Sequence, residues 1–73
     1  MIAEEIRSLL QAQPFRPFTV HLTDGKEVTI HNHDYAWLLP SGLQLHCESL
    51  EGKIHIINTT QISEVTYEAV TQS

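Results

Sequence analysis

Histidine is over-represented in this 73-residue chain, which carries five of them beside a single cysteine. His31-x-His33 followed by Asp34 brings two imidazoles and a carboxylate into one polar turn, ligand types that divalent transition metals accept. His46 and His55 are expected opposite each other on the outer face of a hairpin, which would make a second pair. A catalytic zinc needs three protein ligands in tetrahedral reach, and neither group reaches three without assuming loop geometry. The histidines therefore read as solvated side chains on strand faces and in a turn, with no metal and no cofactor expected.

Cys47 is the other reactive type. Leu43, Leu45 and Cys47 alternate with Gln44, His46 and Glu48, so the thiol points inward and His46 points away from it. A buried thiol packs as a small apolar group and is inert. Ser41-Gly42 lacks the flanking pattern of a nucleophile elbow, and neither a phosphate loop nor a triad spacing occurs. A chain this small is also short of material for a pocket of the usual ligand volume. The expectation is a protein that is not an enzyme.

The elements that position these residues centre on Pro14-Phe15-Arg16-Pro17-Phe18 and the strand after it. Phe18, Val20 and Leu22 alternate with Thr19, His21 and Thr23, the period of a strand with one buried face. Asp24-Gly25 tolerates positive φ and turns the chain into Glu27-Val28-Thr29-Ile30. A two-residue loop would set apolar against polar residues. A three-residue loop over 24–26 pairs Leu22 with Val28 and Val20 with Ile30, and leaves His21 opposite Thr29. Phe15 and Phe18 are expected to plug the junction of helix and sheet, and Arg16 to pair with a nearby carboxylate.

Ahead of this, residues 2–12 form an amphipathic helix, with Ile2, Ile6, Leu9 and Leu10 on one stripe. Pro14 disfavours the α region at Gln13 and stops it. Behind it come a third strand over 35–39, a fourth over 43–48, a fifth over 53–57, one helical turn over 58–61 and a closing strand over 62–67. A four-residue loop over 49–52 sets Cys47 opposite Ile54, Leu45 opposite Ile56 and Glu48 opposite Lys53. Residues 69–73 read as a frayed tail. The whole is one domain over 1–73, with its β part spanning 16–68.

Four Lys and Arg stand against nine Asp and Glu, a formal charge of −5. Arg7, Arg16, Lys26 and Lys53 are scattered, whereas phosphate neutralisation needs clustered cations. No apolar run is long enough to span a membrane. Glu4 and Glu5 stand where a signal peptide would carry cations, so a cytoplasmic protein is expected.

The order of elements, with Val20-His21-Leu22-Thr23-Asp24-Gly25-Lys26-Glu27-Val28 and the terminal Gln61-Ile62-Ser63-Glu64-Val65, resembles the SH3-like barrels and among them the Sm-like proteins. The resemblance implies a mainly β, α+β fold: an N-terminal helix, then a five- to six-stranded antiparallel barrel. The Pro-Phe-Arg-Pro-Phe motif also looks like that of a group of short uncharacterised bacterial proteins, whose His-Pro-Glu turn is replaced here by His31-Asn32-His33-Asp34. That group brings no activity to transfer. Sm-like RNA binders bend their second strand at a glycine, where this chain has Thr29 and Ile30. The bacterial Sm-like RNA chaperone has Tyr-Lys-His where this chain has Asn58-Thr59-Thr60.

Function then lies in interaction. Short barrels expose strand edges, which are natural pairing sites. The double isoleucine at 56–57 breaks the alternation and is expected to turn Ile57 outward, so Lys53, His55 and Ile57 form the candidate partner-binding strip. The partner is a second copy of the chain or a heterologous protein; Sm-like RNA binding is the alternative.

Overall fold

The structure, a computed structural model, describes residues 2–67. Residue 68 and the expected frayed tail lie outside them. Helix α1 spans Ile2–Gln11. Its stripe is the expected one: Ile6 is fully buried, and Ile2, Leu9 and Leu10 pack partly buried against the core. Glu4 and Glu5 occupy the first turn, where carboxylates favour the positive end of the helix dipole. The Gln13–Pro14 bond is cis.

Strands β1 (Phe18–Leu22), β2 (Glu27–Ile30), β3 (Ala36–Leu38), β4 (Gln44–Glu48), β5 (Ile54–Asn58) and β6 (Ile62–Thr66) form two three-stranded antiparallel sheets, ordered β2-β1-β6 and β3-β4-β5. The helix packs against β3 and β6. The core combines Ile6 with Phe18, Val20, Ile30, Leu45 and Cys47, all essentially without solvent exposure. Phe15 is half-buried, its ring centroid 5.9 Å from that of Phe18. Arg16 is exposed and makes no ion pair among the described residues, contrary to expectation.

The first hairpin keeps the expected faces but not the expected partners. Val20 lies opposite Val28, Phe18 opposite Ile30 and His21 opposite Glu27. The loop is 23–25, because Gly25 takes φ +93° as its last residue, and Lys26 is already in the ladder, its carbonyl accepting from Leu22 N at 2.8 Å. The register moves by two residues, which leaves every side chain on its original face.

The second hairpin uses the same device with a larger consequence. Gly52 takes φ +89° as the last residue of a three-residue loop, and Ser49 N donates to Lys53 O at 2.8 Å. Ser49 thus belongs to the ladder and not to the loop. Its hydroxyl also accepts from Glu51 N and Lys53 N at 3.2 Å. The register slips by one residue, so Cys47 faces His55, Leu45 faces Ile57 and Glu48 faces Ile54. A one-residue slip exchanges the two faces of a strand. Ile57 is therefore buried, Ile54 and Ile56 are exposed, and the expected Glu48–Lys53 pair does not form.

Two smaller differences lie at the start of β3 and just ahead of β4. Tyr35 closes a 3₁₀ turn, His33–Tyr35, which the Asn32 side chain caps by accepting from His33 N at 2.7 Å; β3 starts only at Ala36. Leu43, expected inward, is exposed. It follows the tight turn in which Gly42 N donates to Leu39 O at 2.8 Å, ahead of the first residue of β4. The one-turn helix comes at Thr59–Gln61, and the last strand, expected over 62–67, is β6, which pairs antiparallel with β1.

Candidate protein-interaction face

The histidines do not converge. His21 sits on the outer face of β1, its Nε2 2.8 Å from Thr66 Oγ1 and its Nδ1 3.6 Å from Glu27 Oε2. His33 is exposed, with Nδ1 3.2 Å from Asp34 Oδ1 and its ring edge-on to Phe15 at 6.2 Å. His31 and His55 line a cleft of about 300 Å³ between β2 and the β4–β5 loop, together with Glu27 and Glu51. Among the described residues no three His, Cys, Asp or Glu side chains come together to hold a metal ion. His46 and His55 are not a pair: His46 lies opposite Ile56 and projects to the other side of the sheet.

The slip gives Cys47 a histidine neighbour that alternation had not supplied, since His55 now lies directly across from it. The combination is still unsuited to nucleophilic chemistry. Cys47 has no solvent exposure, and desolvation pushes its thiol up to about 11. At neutral pH such a thiol is protonated and out of reach of a substrate.

What the fold leaves exposed instead is the outer face of β3-β4-β5. Trp37 lies opposite His46 on one side and Ile56 lies opposite His46 on the other. The Trp37 and His46 rings are 6.2 Å apart at 37°. Ile54 follows in the next outward position of β5, opposite Glu48. Trp37 is 50% exposed, Ile54 64% and Ile56 62%. Full burial of a side chain of this size is worth roughly 1.5–3 kcal/mol, and these three keep half or more of their surface in water. The remainder of the face is polar but nearly uncharged: Gln44 Nε2 donates to Asn58 Oδ1 at 3.5 Å, and Glu48 is the one ionisable acid on these strands. No Lys or Arg lies in β3, β4 or β5.

Of the three residues expected to bind a partner, Lys53 is exposed just before β5, His55 is half-buried on the inner face and Ile57 is buried. Side-chain alternation alone places Ile54 and Ile56 inward and assigns Trp37 no face, whereas all three are exposed. The available signal was Gly52, since the loop rule that places Gly25 at the end of the first turn also places Ile54 and Ile56 outward. No protein-family model, no curated protein and no solved structure matches the chain.

Proposed function

We propose that the chain is a non-catalytic interaction module, its two sheets the halves of one small SH3-like barrel, which binds a protein surface in the cytoplasm through the outer face of β3-β4-β5. The observation that carries this reading is the co-planar exposure of Trp37, Ile54 and Ile56. A domain this small has few apolar side chains to spare from its core, and placing three on one sheet face fits an apolar interface centre ringed by polar groups. Trp is the residue type most enriched at the energetic centres of such interfaces. Protein is favoured over RNA because the face offers no cation for phosphate.

The reading is tested by affinity capture from a native extract with wild-type and Trp37→Ala chains side by side. A discrete protein retained by wild type and lost by Trp37→Ala, with melting temperature unchanged, supports it. Equal retention by both chains, or retention of RNA that salt releases steeply, contradicts it.

A further inference from the structure

We infer that β5 pairs edge to edge with β5 of a second copy of this chain, antiparallel and about a two-fold axis at Ile56. This rests on the interaction-module reading and names a second copy as the occupant of the free edge of that same sheet, beside the Trp37 face. The hydrogen-bond parity of the β4–β5 ladder fixes which main-chain groups of β5 are free. Ser49 and Lys53 are a hydrogen-bonded pair, and so are Leu43 and Thr59 at the other end. Hydrogen-bonded and non-hydrogen-bonded pairs alternate along an antiparallel ladder, so His55 and Ile57 spend their main-chain groups on β4. The N–H and C=O of Ile54, Ile56 and Asn58 point away from it, to the free edge. Among the described residues β5 has no other strand neighbour.

The other three sheet edges are protected in ways that β5 is not. β2 carries Glu27, β6 carries Glu64 and lies against α1, and β3 is three residues long and also lies against α1. Charge, shortness and cover are the usual devices that stop an edge from pairing. β5 has neither charge nor shortness: it is five residues long, contains no carboxylate and no cation, and exposes two isoleucines, and the β1–β2 turn beside it leaves an open groove.

The edge is also complementary to itself. With Ile56 on the axis, Ile56 meets its own copy and Ile54 meets the partner's Asn58, so the three outward-facing residues of each strand satisfy one another with about six main-chain hydrogen bonds. On the outer face the two Ile56 side chains become cross-strand neighbours, extending the Trp37–His46–Ile56 row across both molecules. The charges fit the same register. Asp24 lines a groove of about 180 Å³ with Ile56 and Asn58, and the partner's Lys53 follows the partner's Ile54 to that end. Each copy thus offers one cation to the other's one carboxylate. An interface of a single short edge stands at the small end of specific contacts, below about 1,200 Å², so the dimer is weak and forms in the high micromolar range.

Sedimentation equilibrium of the full chain from 10 μM to about 1 mM (a range set by that weak affinity), with amide exchange followed by NMR at both ends, tests the proposal. The expected result is a monomer–dimer equilibrium in which the amides of Ile54, Ile56 and Asn58 gain protection with concentration. Ile56→Lys should raise the dissociation constant at least about tenfold through charge at the axis, and Lys53→Glu should weaken the dimer more at low salt than at high salt. Trp37→Ala, two strands from the edge, should leave the dimer intact while losing any heterologous partner, which separates failure of this inference from failure of the interaction-face reading. A wild-type chain that stays monomeric at 1 mM overturns the proposal. A dimer whose protected amides lie elsewhere, or one indifferent to Ile56→Lys in a variant with unchanged circular dichroism, overturns it equally.

Discussion

Cys47 faces His55 across the β4–β5 ladder, with both side chains on the inner side of the sheet. That single pairing decides which surface of the hairpin meets water. It puts Ile57 into the core and leaves Ile54 and Ile56 outside it.

The thiol of this pair gives a prediction with a definite sign. Its pKa is raised by burial from 9.0 to about 11, so the folded chain holds the proton more tightly than the unfolded one. Stability is complete below the unfolded value, then falls as pH rises from about 9 towards 11. Cys47→Ala should flatten that alkaline loss in a pH series of melting temperatures, although it removes packing at all pH values. In the native state at pH 8, modification of Cys47 by a thiol reagent should proceed only at the rate of opening.

Phe18 is the largest fully buried side chain among the described residues. Phe18→Ala should cost about 3–5 kcal/mol, most of the stability available to a domain of this size. Urea titration checks this, and a midpoint within error of wild type would contradict the place given to Phe18 in the core.

Gly25 and Gly52 close the β1–β2 and β4–β5 hairpins at φ +93° and +89°, and a Cβ at either would meet nothing within 4 Å. The cost of Gly52→Ala is then backbone strain alone, about 1–2 kcal/mol. Gly52→Asn should cost less, because Asn tolerates the left-handed region. Thermal denaturation of the two variants gives the ordering directly.

Zinc near stoichiometric concentration should leave the melting temperature unchanged, given the scatter of the histidines. A site populated at a hundred times its dissociation constant would add about 2.7 kcal/mol. A shift of that size, lost on joint His31→Ala and His33→Ala substitution, would show a metal site in the turn.

The sequence was legible wherever side-chain period and burial agree. The helix stripe of Ile2, Ile6, Leu9 and Leu10, the strand from Phe18 to Leu22 and the inward Leu45 and Cys47 follow from apolar spacing, which packing enforces. Register was harder, because in 53–57 the isoleucines at 54, 56 and 57 fit either face, and side-chain pattern alone has no preference between them. The loop decided it through backbone geometry: a glycine at positive φ belongs at the end of a three-residue turn. The candidate face inherits that difficulty. Trp37, Ile54 and Ile56 read as core material by type, and only the pairing of Cys47 with His55 and of Trp37 with His46 turns them outward.

The central claim is that the outer face of β3-β4-β5 is the surface other molecules meet. Site-specific photo-crosslinking in the native extract tests it most directly, with a benzophenone side chain placed by Ile56→p-benzoylphenylalanine on that face or by Thr29→p-benzoylphenylalanine on the exposed side of β2. The account predicts discrete crosslinked products from position 56, whether to a second copy or to another protein, and none above background from position 29. Equal yields from the two positions, or products from position 29 alone, would contradict it.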